Sequence, residues 1–452
     1  MTSEGRHAGN ASEQTLERLL LPLGPTARVE ADAAADEPVW LRNGEWRVYA
    51  SPTQGPSTGE EVARFTLGDG RELIARVDRA RGVASMPFDP SEAYSNYVSE
   101  AWAQATSSRQ LSSGQLDLFY RVKRFIPRRA LLWARRLLIR WQGNPDFPRW
   151  PLDTSVSRLL RFYAYCLLRA QGSTQGEFAW FWPRGKHAAL ILTHDVEGEE
   201  GFRGALELAD LEEELGFRSC FNVGAWYDID PGFVRELTGR GFEIGLHSLH
   251  HDRSLFESRE SFDSQLPGIA ALRERLGADG FRSPATHRVF DWLGELPVSY
   301  DCTVPNSDPY EPQPGGCCSV WPFFIGPVVE LPYTLTQDHT VFTLLGHRSP
   351  ALWLEQADGV EREHGLIQCP AHPDPGYMGD RDKRAYYAEF LRAMAERDHL
   401  WHALPRDVAA WWRQRDGRAA DSTPGRIRIG DSPADVEFEP PASVPAAPGG
   451  VT

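Results

Sequence analysis

The sequence predicts an α/β fold, a parallel β/α barrel or an open α/β sheet over residues 185–416, preceded by a mixed α+β region. Three observations carry this. From Lys186 onward, strand-length apolar runs alternate with helical segments for roughly 230 residues, the pattern of parallel sheets with crossover helices. Residues able to do chemistry fall at the ends of those strands, where such folds keep their sites. Before Lys186 the pattern is different, with short strands joined by tight turns between residues 38 and 80.

The elements follow in order. Residues 1–12 are polar and read as disordered. Residues 13–184 form an N-terminal accessory region. In it, PVWLRNGEWRVYA places Asn43-Gly44 between alternating apolar runs, a hairpin signal. RFTLGDGRELIARV repeats this around Asp69-Gly70. FDPSEAYSNYVSEAWAQA opens as a helix, with Asp89 or Ser91 as cap and Pro90 in its first turn. Residues 121–141 are basic and apolar, with Arg128, Arg129, Arg135, Arg136 and Arg140 on one helical sector. That segment is a solvated helix face or a weak membrane-surface contact. FPRWP (147–151) and FAWFWPRGKH (178–187) carry no motif, and their aromatic residues are expected to pack against the barrel.

In the barrel region, HAALILTHD is a buried strand and FRGALELADLEEELG a helix ended by Gly216. SCFNVGAW, FEIGLHSLHH, GLIQCPAH and LWHALP read as strands. PGFVRELTGRG, a stretch near 381–396 and RDVAAWWRQ read as helices. The loop 305–322 contains Gly315-Gly316 and is either a mobile lid or an ordered packing loop. Residues 417–452 are rich in Pro, Ala and Gly and read as a disordered tail.

Composition narrows the function classes. Of 452 residues, 41% are hydrophobic, ample for a core. The net charge of −15 argues against general nucleic-acid binding. No run is long and apolar enough to span a bilayer, and the N-terminus lacks the form of a secretory signal. The six cysteines have no paired spacing, which fits a reduced, cytoplasmic setting.

Asp195 and Glu197 follow the strand LILT and are two apart, so an extended chain turns both to one side. His247 and His251 follow FEIGL, with His250 a rival to His251. Two neutral imidazoles and a carboxylate make a common open divalent-metal site. Arg282 can orient a carboxylate. Asp301 can hold Arg282, hold a substrate hydroxyl, or cap the next helix. His372 can act as a general acid, since an imidazole gains and loses protons near neutral pH.

Five segments, in order, resemble the polysaccharide deacetylase (NodB-homology) family of carbohydrate esterases. THDVE (193–197) is similar to the first motif, and HSLHH (247–251) matches the second, H-[ST]-x-x-H. RSP (282–284), YDCT (300–303) and PAH (370–372) resemble the remaining three. The resemblance covers about residues 185–412. It implies a distorted (β/α) barrel and hydrolysis of an acyl group, typically acetyl, from an amino sugar or glycan precursor. It further implies a divalent metal on His247 and His251, zinc foremost, with cobalt or manganese also suited. Asp195 would be the base, Arg282 its orienting residue and His372 the acid, with Asp301 in the fourth motif. One position departs: the family's metal-binding aspartate falls on Val196, which cannot bind metal. Either Glu197 supplies the ligand, or Asp195 binds the metal and Glu197 becomes the base. A non-catalytic glycan- or partner-binding barrel, and a membrane-surface protein acting on a lipid-linked glycan, are the competing readings.

Overall fold

The computed structural model describes residues 16–20, 28–30, 37–54, 58–105, 145–417 and 424–441, with Arg136 and Ile139. The readings for residues 1–12 and for most of 121–141 lie outside these.

Six strands build the first sheet: β1 (Arg28–Glu30), β2 (Val39–Asn43), β3 (Trp46–Ala50), β4 (Glu60–Leu67), β5 (Glu72–Asp78) and β6 (Val83–Ser85). Their order is β1-β6-β5-β4-β2-β3. The expected hairpin is present, with Asn43 opposite Trp46 and Gly44 at a φ of +58° that an ordinary side chain resists. Helix α1 (Pro90–Val98) starts as anticipated, with the Ser91 N–H donating to Asp89 Oδ1 at 2.8 Å. Helix α2 (Ser155–Ala170) buries thirteen of its sixteen residues, more than a one-sided amphipathic helix would, because sheets flank it on two sides. One is the N-terminal sheet. The other has three strands in the order β18-β17-β7, from β7 (Gln175–Ala179), β17 (Pro424–Ile429) and β18 (Val436–Glu439).

Over residues 424–441 this second sheet corrects the expectation of a disordered tail from residue 417, and the rest of that tail lies outside the described residues. Ile427, Ile429, Val436 and Phe438 alternate with charged residues, and all four are buried. Two-residue periodicity facing apolar surface specifies strands, and the Pro- and Ala-rich flanks conceal it in the composition. Phe438 packs against Phe178 with ring centroids 5.6 Å apart. Phe438→Ala should therefore lower stability by about 3–5 kcal/mol, measured by urea denaturation. A change below about 0.5 kcal/mol, the level of an ordinary surface site, would mean the tail contributes nothing to the core.

The second half of the chain forms the curled, distorted β/α barrel. Its strands are β8 (Ala188–Val196), β9 (Cys220–Val223), β10 (Glu243–Leu246), β11 (Gly280–Phe281), β12 (Tyr300–Asp301), β13 (Phe323–Ile325), β14 (Val328–Glu330), β15 (Leu366–Ala371) and β16 (Leu400–His402). All pairs are parallel except β13 with β14, and β8 lies between β9 and β15. Every residue of β8 is buried, the apolar run Ala188–Leu192 in the core and the polar residues Thr193, His194 and Asp195 with it. Helices α3 (Glu200–Glu214), α4 (Pro231–Gly239), α5 (Arg259–Leu276), α6 (Ala351–Arg362), α7 (Arg381–Ala395) and α8 (Pro405–Gly417) alternate with the strands. Strands β14 and β15 do not pair. The segment Leu331–Leu335 links the two ends instead, with Tyr333 N donating to Val304 O (3.0 Å) and Leu335 N to Gln368 O (3.1 Å).

Loop 305–322 is an ordered packing loop. A Cβ at Gly316 would lie 2.3 Å from the Asn306 carbonyl oxygen, and one at Gly315 would lie 2.4 Å from Glu100 Oε1. The paired glycines serve close approach, not motion. Asn306 also exchanges two hydrogen bonds with Asp153, at 2.8 and 2.9 Å, which ties the loop to the start of α2. Trp180 and Trp182 are buried, and Trp182 Nε1 donates to His364 O at 2.7 Å, so the aromatic segment before the barrel packs as expected.

Candidate active site

At the end of β8 the side chains alternate. His194 and Val196 point away from Asp195 and Glu197. His194 is fully buried against Glu212 of α3, with Nε2 to Oε1 at 2.6 Å, and the Tyr387 hydroxyl donates to the same carboxylate at 2.6 Å. Val196 is fully buried in the core. A metal ligand at that position would face the wrong side of the strand.

Asp195 is fixed at both oxygens. Arg282 Nε, at the end of β11, donates to Oδ2 at 2.6 Å, and Asn222 Nδ2, on β9, donates to Oδ1 at 2.8 Å. Burial pushes this carboxyl up, but the charge of Arg282 and the imidazoles of His247 and His372 outweigh it and hold it well below the usual carboxylate range. The Arg282 guanidinium is itself only 1% exposed, donates to Cys302 O at 2.7 Å and lies 4.8 Å over the Tyr333 ring.

Glu197 is half-buried, and its Oε1 stands 3.3 Å from His251 Nε2 and 3.7 Å from His372 Nε2. Burial raises this carboxyl, while a hydrogen bond from His251 and the nearby imidazoles bring it down to about 2. Trp226 packs on both motif histidines, 4.9 Å from the His251 ring and 5.6 Å from that of His247, and its indole N–H donates to Glu197 O at 3.0 Å. The loop therefore brings His247 and His251 together without forming a helix, their ring centroids 5.8 Å apart, and Ser248 between them takes a φ of +74°. His250 is exposed, and it is His251 that meets Glu197.

His247 Nδ1 lies 2.8 Å from Arg282 O. A carbonyl only accepts, so Nδ1 carries the proton and Nε2 keeps its lone pair, the arrangement of a metal-ligating imidazole. Burial lowers the His247 pKa to about 4, which keeps it neutral. His372 has the opposite bias. Burial opposes its charge, but Asp338 Oδ1 at 2.6 Å from Nδ1 raises its pKa to about 10. Its Nε2 is 4.0 Å from Asp195 Oδ2.

The structure thus brings together Asp195, Glu197, His247, His251, Arg282 and His372. It does not bring Asp301 to the cluster. That carboxyl is fully buried, accepts from Thr303 Oγ1 at 2.7 Å and hydrogen-bonds Glu330, which burial and Asp301 hold protonated well above the usual range. Thr303 Oγ1 in turn accepts from Ser283 N at 3.0 Å, so Asp301 braces the loop after Arg282 from behind. Sequence reasoning missed Asn222, Trp226, Asp338 and Asp374. Asp374 Oδ2 accepts from Glu197 N at 3.0 Å, and burial raises its pKa to about 6. The polar Asn222 inside an otherwise apolar strand was the one available signal.

The donor set suits a divalent ion. Two nitrogens and a carboxylate fit zinc, cobalt or manganese. The 3.3 Å between His251 and Glu197 is close to the roughly 3.4 Å between two ligands of a tetrahedral ion bound at about 2.1 Å. Among the described residues, no group of three or more His, Cys, Asp or Glu side chains is drawn together tightly enough to hold an ion. The fit lies in the chemistry of the donors and in this one contact.

No family model matches the chain, and no curated protein matches it. Among solved structures, the chain is similar to an assigned polysaccharide deacetylase from Mycobacterium smegmatis (21% identity, 53% of this chain and 94% of that one, TM-score 0.44). It is also similar to a probable polysaccharide deacetylase from Pseudomonas aeruginosa PAO1 (17%, 52% and 93%, TM-score 0.41). A third similar structure is the PuuE allantoinase (17%, 53% and 93%, TM-score 0.39).

Proposed function

We propose that this chain is a divalent-metal-dependent amide hydrolase that removes an acyl group, acetyl foremost, from an amino sugar or glycan precursor. The observation that carries the reading is the convergence of Asp195, Glu197, His251 and His372 within 4.0 Å contacts at the carboxyl ends of β8 and β15 and beside β10. His247, His251 and Glu197 would hold the ion, because Glu197 already meets His251 and Val196 is turned into the core. When bound, such an ion supplies Lewis acidity, making water more acidic and stabilising negative charge on a carbonyl oxygen.

The chain's own residues supply the rest. Asp195 takes a proton from the attacking water, and Arg282 and Asn222 keep it ionised and aimed for this. The water oxygen adds to the amide carbon. His372, kept protonated by Asp338, gives its proton to the amine nitrogen as the carbon–nitrogen bond breaks. The six free, buried cysteines favour the reducing cytoplasm as its setting.

The test is release of amine from N-acetylglucosamine oligomers by the purified chain, with metal content measured on the same sample. Near-stoichiometric metal is expected. Chelation should bring turnover to background, and added zinc, cobalt or manganese should restore it. Turnover that survives EDTA or His247→Ala would sink the metal-dependent reading. Stoichiometric absence of metal together with absence of turnover would favour a non-catalytic barrel.

A further inference from the structure

A hollow of about 520 Å³ lies beside His251, in the size range of small-molecule sites. Its wall carries His251, Asp252, Arg253, Glu257 and His287, with Pro312 from loop 305–322. It shares His251 with the cluster around Glu197, so a molecule reacting there has this hollow for its remaining atoms.

Three features mark it as built for a ligand. The first is backbone strain. Ala285 and Thr286, two successive non-glycine residues, take left-handed φ values of 51° and 54°, which costs about 1–3 kcal/mol each. The strained turn delivers His287 to the hollow. The second is what holds that turn. Arg288 is buried, donates to both oxygens of Glu100 at 2.7 and 2.6 Å, and its backbone N–H donates to Gln313 Oε1 at 3.0 Å. The third is the polar balance of the wall. Asp252 Oδ1 already accepts from Ser254 N at 2.8 Å, and Glu257 pairs with Arg253 at 3.4 Å. Charges of both signs stand side by side, which favours neither an anion nor a cation. The His287 imidazole, half-buried, makes no hydrogen bond to the described residues.

We infer that this hollow is a subsite for a neutral, hydroxyl-bearing sugar ring of the substrate, and that His287 is the residue that reads its hydroxyls. The inference rests on the amide-hydrolase reading for the reaction but not for the binding. Burial, with Arg253 and Arg288 nearby, lowers the His287 pKa to about 4, so the ring is neutral. A neutral imidazole offers one N–H and one lone pair, the pair of partners a hydroxyl uses.

The experiment compares two amides with the full chain, an N-acetylglucosamine disaccharide and N-methylacetamide, which has no hydroxyl. His287→Ala should lower the ratio of kcat/KM, disaccharide over N-methylacetamide, by about tenfold, the worth of one or two hydrogen bonds. Most of that change should be in KM. His287→Gln, which keeps a donor and an acceptor, should recover most of it. An unchanged ratio would overturn the proposal, whether both amides slow equally or neither does. If the unaltered chain hydrolyses neither amide, the hydrolase reading falls, and calorimetric titration with the disaccharide then decides the subsite. Binding about tenfold weaker in His287→Ala supports it, and equal binding, or none to the unaltered chain, overturns it.

Discussion

Replacing Arg282 with methionine should destabilise the chain by about 3–5 kcal/mol, and adding Asp195→Asn should return much of that loss. The pair is almost wholly removed from water, with Arg282 1% and Asp195 3% exposed, and their contact is 2.6 Å. Two charges taken out of water each carry a desolvation cost, and each is tolerated only because the other is present. Methionine at 282 leaves the Asp195 carboxylate buried with Asn222 as its remaining 2.8 Å donor. Neutralising Asp195 removes the stranded charge, although the Cys302 carbonyl still lacks the bond it accepted from Arg282. Activity should behave differently. Both variants lack either the base or the group that aims it, so turnover should stay reduced by about 100- to 10,000-fold in each. Urea denaturation alongside a turnover assay measures both quantities. A single Arg282→Met variant within about 1 kcal/mol of the parent would show that the pair is better solvated than its burial implies.

The second large effect is at His372. His372→Gln should lower kcat by about 100- to 10,000-fold, the usual worth of a general acid. Asp338→Asn separates the proton from the geometry. The amide oxygen can still accept from Nδ1–H and hold the ring, at the loss of the bond that Oδ2 accepts from the His372 backbone N–H at 3.0 Å, and the negative charge is gone. The carboxylate holds the imidazole proton up to about pH 10. Without it, that pKa moves down towards the ordinary histidine value near 6.5. An acid must be protonated to act, so the alkaline limb of the kcat profile should move to lower pH. A variant profile that superimposes on the parent's would show that His372 is not the acid.

Much of this site could be read from the sequence because it follows a local rule. His247, Arg282 and His372 each stand directly after a strand and Asp195 is the next-to-last residue of β8, and a strand's end is visible in its apolar run. The direction of Asp301 is not visible. In a two-residue strand there is no alternation to follow, and its partner Glu330 is far along the chain. Asp338 is hidden for another reason. It comes from the non-strand segment between β14 and α6, and only the three-dimensional fold brings it against His372. The side to which Val196 turns, on which the proposed role of Glu197 rests, needed the structure as well. In the fold, alternation located the barrel elements, whereas strands β17 and β18 were obscured by the Pro- and Ala-rich residues around them.

Strand β17 pairs with β7, and with β18 it covers one flank of α2. Synthesis runs from the N-terminus, so α2 leaves the ribosome more than two hundred residues before the strands that cover it. Until they arrive, one apolar side of α2 and one edge of β7 stay open to other chains. The first half of this protein cannot finish folding as it is made, and nascent chains halted before residue 424 should be the form that chaperones hold and proteases remove.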